Sequence, residues 1–142
     1  MSLLSLLILS LSLTAEAQSS GLSSAVERAA KAYDVDAMEL IAIAHLESSG
    51  GRFLGPKRNS DGSEDIGVFQ INSVHWHTTC KAYDVFTLEG NAMCAAKILR
   101  GHKKFKDIDP HWKGRYHSRT PARKAAYAEK LEQKLREMEG GQ

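Results

Sequence analysis

Glu47 is the residue whose type conflicts most with its position. In the segment 37–48, Leu40, Ile43 and Ala44 share one stripe at helical spacing. Glu47 takes the next place on that stripe, seven residues after Leu40 and four after Ile43. A carboxylate among apolar side chains loses hydration, which disfavours its charged form and raises its pKa. The last turn of a helix adds repulsion from the helix dipole. A carboxyl that keeps its proton near neutral pH is what a general acid requires. Helices also end on polar residues, and buried carboxylates also serve structural networks, so the pattern alone leaves both roles open. Asp61, Glu64 and Asp65 follow in a turn-rich stretch. One carboxyl on a helix and another on a loop suit cleavage of a glycosidic bond, although an Asp-Gly turn also carries solvated acids for local reasons.

Other chemistries find less support. His75-x-His77 is the closest histidine pair, near Trp76 and Cys80. No carboxylate at helical spacing completes a metal-binding set, so no metal is expected, and the six histidines are expected at the surface or at a cleft rim. The 19 Lys and Arg against 17 Asp and Glu leave a net charge of +2. That balance lacks the basic stripe of a nucleic-acid binder, and an anionic polymer stays compatible with it. Cys80 and Cys94 are the two cysteines. In an exported chain an even pair reads as one disulfide; in a cytosolic chain the same pair reads as two buried thiols.

The elements that must hold these groups follow from caps and periodicity. The chain has 142 residues, enough for one small domain and a processed leader. Its 42% hydrophobic content is too high for disorder. Leu3 to Leu13 holds eight apolar residues and three serines without a charge, and Ala15-Glu16-Ala17 gives a small-x-small cleavage pattern. Residues 1–17 are therefore expected to be a signal peptide and 18–142 the mature domain. The apolar run is too short to span a bilayer, so no stable membrane insertion is expected after cleavage. Ser24 with Glu27 predicts a capping box ahead of a helix from Ala25 to Tyr33, and Asp36 with Glu39 predicts another ahead of Ala37 to Ser48. Gly50 and Gly51 stop that second helix. Residues 52–65 read as turns or a short hairpin. Leu88, Ala92, Ala95 and Leu99 define a third helix, and Thr120 before Pro121 starts a last one ending at Gly140 and Gly141. On that helix Glu132 and Arg136 are spaced as an i,i+4 pair. No stretch alternates with period two, so the fold class expected is mostly α.

Placed in order, these segments resemble a known family. Ala44-His45-Leu46-Glu47-Ser48, then Gly67-Val68-Phe69-Gln70-Ile71-Asn72, resembles the Glu-Ser and Gly-Leu-Met-Gln motifs of soluble lytic transglycosylases, with Val68-Phe69 in place of Leu-Met. Asn91-Ala92-Met93 through Leu99 is similar to the family's Asn-led helix, and Gly114-Arg115-Tyr116-His117-Ser118 to its Tyr motif. Tyr116 through Pro121, with Tyr127, looks most like the small one-domain members that accompany secretion, conjugation and pilus machines of Gram-negative bacteria. His117 stands where many relatives have Asn. Residues 58–73 and 91–98 are also similar to C-type lysozymes, whose catalytic glutamate and aspartate fall on Glu47 and Asp65.

The resemblance implies a lysozyme-like fold, an α-helical domain with a short loop or small β-hairpin lobe. It implies a peptidoglycan glycan strand as substrate, cut between N-acetylmuramic acid and N-acetylglucosamine, with Glu47 as acid and then base. The muramic C6 hydroxyl would close a 1,6-anhydro ring. In the lysozyme alternative Asp65 would support hydrolysis by water, and a third reading is a non-catalytic glycan-binding subunit. Ser48 and Gln70 would line the sugar site, and Asn72 and Tyr116 would orient substrate or the catalytic carboxyl, Tyr116 by donating to Glu47. Neither metal nor organic cofactor is implied. A periplasmic monomer is expected, with secretion or conjugation proteins as partners.

Overall fold

The computed structural model describes residues 19–49 and 51–141. The expected signal peptide at 1–17 lies outside the described residues, as do Gln18 and Gly50. Helix α1 covers residues 19–33, α2 Ala37–Ser48, α3 Leu88–His102 and α4 Pro121–Gly140. Between α2 and α3 lies a three-stranded antiparallel sheet in the order β1 (Lys57–Arg58), β2 (Glu64–Ile66), β3 (Ile71–Asn72). The described fold is 60% helix.

Asp36 caps α2 as its spacing predicts, its Oδ1 accepting from Met38 N at 2.7 Å and Glu39 N at 3.2 Å. Ser49 ends the helix in the left-handed conformation at φ 51°. The capping box predicted at Ser24 does not form, because α1 already runs from residue 19 and Ser24 lies inside it. Its hydroxyl instead accepts from Arg28 Nη1 at 2.6 Å, one turn on. Thr120 precedes α4 with Pro121 in the first turn.

The core gathers the inner faces of the helices around one aromatic ring. Val26 and Ala29 of α1, Leu40 and Ile43 of α2, and Ala92, Ala95 and Leu99 of α3 are shut off from solvent, together with Phe69 from the turn between β2 and β3. Leu131 anchors α4 to the same core. The expected Glu132–Arg136 pair is not among the ion pairs of the described residues. Glu132 is drawn to Lys113 Nζ at 2.8 Å, and the same ammonium meets Glu39 of α2 at 2.6 Å. One lysine thus ties α2, the 3-10 turn Trp112–Tyr116 and α4 together. That turn packs so closely on α4 that a Cβ at Gly114 would collide with the Lys124 carbonyl.

The short strands carry little sequence signal. Two or three residues cannot display an alternation of period two, so the third strand at Ile71–Asn72 lies outside the expected hairpin. Its register places Asp65 opposite Asn72 and Ile66 opposite Ile71. The β1–β2 turn is closed by Asn59 N donating to Ser63 O at 2.8 Å, with Gly62 at φ 85°. Asp61 is spent on this turn, its Oδ1 accepting from Ser63 N and Ser63 Oγ at 2.9 and 2.7 Å.

Cys80 and Cys94 form a disulfide with a Cα–Cα distance of 5.2 Å, and both are fully buried. The bridge closes a loop of 14 residues' separation and clamps the segment after β3 onto α3. Reduction is expected to lower stability by roughly 2–4 kcal/mol, a large share of what a domain of this size holds. Chemical denaturation with and without reductant reads the shift. Activity after mild reduction should track the folded fraction, because no cleft group depends on either sulfur.

Candidate active site

α2 delivers Glu47 in its last turn, just past the buried Leu40–Ile43–Ala44 stripe. The Glu47 side chain is 15% exposed. Burial raises its pKa, and the nearby Asp65 charge adds to the rise. A hydrogen bond from Tyr127 and the charge of Lys57 oppose it. The Tyr127 hydroxyl donates to Glu47 Oε1 at 2.6 Å. His117 Nδ1 stands 4.0 Å from the same oxygen, and its ring stacks on Tyr127 at 4.8 Å with planes 3° apart. The His117 ring is pushed towards its neutral form by burial and by the Lys130 and Arg123 charges. Glu47 is thus walled by two stacked rings on the α4 side and opens on a cleft of about 900 Å³.

Asp65 lines the same cleft from β2. Its Oδ2 accepts from Asn59 Nδ2 and its Oδ1 from Asn72 Nδ2, both at 2.9 Å. Ser63 Oγ accepts from the same two amides at 3.1 and 2.9 Å. Asn59, Ser63 and Asn72 therefore form one network around this carboxylate, with both its oxygens occupied by neutral donors. Asn72 is placed as a holder of Asp65, and its own Oδ1 caps the turn at Val74 N at 3.1 Å.

The remaining sequence-predicted residues divide. Gln70 lines the cleft at φ 46°, its Nε2 donating to Gly67 O at 2.8 Å. Tyr116 also lines it, but its hydroxyl donates to Phe69 O at 3.0 Å and not to Glu47. The phenol that reaches the carboxyl is that of Tyr127, on a different element. Ser48 does not line the cleft. It is 1% exposed and bonds back to Ala44 O at 2.8 Å within its own helix. Sequence reasoning misses Tyr127, Asn59 and Ser63 as site residues. Tyr127 carries one usable signal, an aromatic on the inward face of a helix whose other face is charged. Among the described residues no group of three or more His, Cys, Asp or Glu is arranged to hold a metal.

Behind the cleft sits a buried amide. Asn91, in the first turns of α3, is fully buried. Its Oδ1 accepts from Phe69 N, and its Nδ2 donates to Ile66 O and Val85 O, all at 2.9 Å. Gly67, at φ 85°, passes so close that a Cβ there would collide with the Asn91 amide. This contact fixes the turn that carries Gln70 and the Phe69 carbonyl held by Tyr116.

A helical domain with a small antiparallel sheet is consistent with a lysozyme-like fold, and its cleft brings a shielded glutamate and a pinned aspartate together. Residues 24–133 match the family described as Transglycosylase SLT domain, and the chain belongs to that family. Its members are lytic transglycosylases, lyases that act on peptidoglycan. The chain is also similar to a lysozyme of Hyalophora cecropia, 32% identical over 74 residues, which cover 43% of this chain and 53% of the lysozyme. It thus spans about half the length of that relative.

Proposed function

We propose that this chain cleaves the β-1,4 bond between N-acetylmuramic acid and N-acetylglucosamine in peptidoglycan and leaves a 1,6-anhydro end. The observation that carries this reading is Glu47, a carboxyl at 15% exposure with its pKa raised by burial, opening on a long polar cleft. Glu47 gives its proton to the bridging oxygen as the bond opens through an oxocarbenium-like state. The carboxylate left behind takes the proton of the C6 hydroxyl of the same muramic residue. That oxygen bonds to C1 and closes the ring, so no water is consumed and Glu47 ends protonated. Tyr127 holds the carboxyl in place through both steps, and Gln70 offers its amide oxygen to the sugar. Asp65, held by Asn59 and Asn72, supplies negative charge near the developing cation.

Glu47 and Asp65 together also favour a second reading, hydrolysis of the lysozyme type, in which Asp65 supports the intermediate and water completes the reaction. Asp65→Asn separates the two. The transglycosylase should lose less than about 10²-fold of its turnover of purified sacculi, below the loss with Glu47→Gln, because an internal hydroxyl replaces the external nucleophile. Equal losses for the two variants would favour the hydrolase.

For cellular role, we propose export by residues 1–17 to the periplasm, where a monomer opens the wall locally for a secretion, conjugation or pilus apparatus. A mature amino terminus at Gln18 in protein recovered from the periplasm supports the export step, and an intact leader there contradicts it.

A further inference from the structure

A second hollow of about 360 Å³ adjoins the catalytic cleft. Its cationic lining comes from Lys97 on α3, Lys104 just after it, and Arg115 and Arg119 before α4; the His102 and His75 rings beside them are pushed towards their neutral forms by burial. No carboxylate lines it, in contrast to the cleft, where Glu47, Asp61 and Asp65 are present. Arg115 is committed to Asp109 at 2.9 Å, with its guanidinium 3.9 Å above the Phe105 ring. Lys97, Lys104 and Arg119 make no ion pair among the described residues. Cations gathered in a concave site repel one another and focus a positive potential. His102 registers that field: burial and the charges of Arg115, Arg119 and Lys104 push its pKa down to about 4. His75, Ile98, Arg115 and Arg119 line both hollows, so the two are continuous.

Given glycan cleavage as proposed above, on which this inference rests, the substrate itself supplies the complementary charge. The sugar backbone is uncharged where the lactyl group is amide-linked, and the free carboxylates lie on the peptide stems. We propose that this hollow is a subsite for the carboxylates of a peptide stem carried by the glycan strand in the cleft. Lys97, Lys104 and Arg119 face the carboxylates. The chain would then select glycan that still bears its peptides.

The test uses soluble, uncross-linked glycan strands with native stems. A matched batch has its stem carboxylates converted to carboxamides, which keeps their size and removes their charge. The wild-type chain should cleave the amidated strands with a kcat/KM reduced roughly tenfold, as expected for two or three partly exposed ion pairs, and the gap should shrink at high salt. Lys97→Gln with Lys104→Gln touches the hollow but not the cleft. That double variant should treat native strands as the wild type treats amidated ones, with the change in KM, while Lys97→Arg with Lys104→Arg keeps the preference. Equal cleavage of both strands by the wild type would overturn the subsite and leave glycan cleavage standing. A full preference retained by the glutamine variant would also overturn it. Absence of cleavage with either strand would instead overturn the activity on which the subsite rests.

Discussion

Glu47→Gln is expected to abolish cleavage of purified sacculi while the fold survives. Amide and carboxyl are nearly equal in size, and the amide oxygen can still accept from Tyr127, so the packing against α4 is kept. The amide has no proton of suitable acidity to give to the bridging oxygen. General acid–base assistance alone is worth roughly 10²–10⁴-fold, and Glu47 serves in both halves of the reaction, so the loss should lie at or beyond the upper end. Stability should move the other way. Burial raises the folded-state pKa of Glu47 above its unfolded value, so the native chain binds this proton more tightly than the unfolded one. Its effect on stability is therefore favourable at low pH and is lost as pH rises through that window. The glutamine variant lacks this term and should be at least as stable as the wild type near neutral pH. In the wild type, cleavage should decline as pH rises through the raised pKa, because the acid form is consumed. Near wild-type turnover in the variant would exclude Glu47 as the acid.

Asn91→Leu should produce the largest loss of stability of any single cleft-side substitution. The side chains are similar in size, but leucine leaves Phe69 N–H, Ile66 C=O and Val85 C=O without their partner inside the protein. Each orphaned buried group costs about 1–3 kcal/mol, so a combined loss of roughly 3–5 kcal/mol is expected. A chain of this size cannot absorb much more. Activity at a temperature where the variant is still folded should also fall, since the turn carrying Gln70 loses its anchor. A shift in denaturation midpoint corresponding to less than about 1 kcal/mol would show that the amide is not what fixes this turn.

The parts of the molecule that are legible in sequence are those written in local physics. The α2 boundaries follow from Asp36 as cap and from a 3.6-residue period, and the same period exposes Glu47 as a carboxyl on an apolar stripe. The turn-rich stretch 52–65 makes the β1–β2 hairpin legible, but not the strand register or the third strand, because strands of two or three residues show no period. Ser24 misleads for the opposite reason: its capping spacing is present, but α1 begins earlier and places it mid-helix. Site partners reached across the chain are also hidden. Tyr127 lies 80 residues from Glu47, and only the packing of α4 on α2 chooses it over Tyr116. The basic hollow is assembled from residues 75 to 119; of its cations Lys104 lies in the basic stretch 100–106, while Lys97, Arg115 and Arg119 reach it only through the fold.

Product mass tests the central claim most directly. Purified sacculi digested by the wild-type chain release soluble muropeptides, and mass spectrometry reads their reducing ends. Intramolecular attack by the C6 hydroxyl predicts 1,6-anhydro-muramic ends, each one water lighter than the hydrolysed product, from the first turnovers and without later conversion. Reducing N-acetylmuramic ends as the initial product would contradict that attack, and would mean that water, supported by Asp65, takes the place of the C6 hydroxyl at C1.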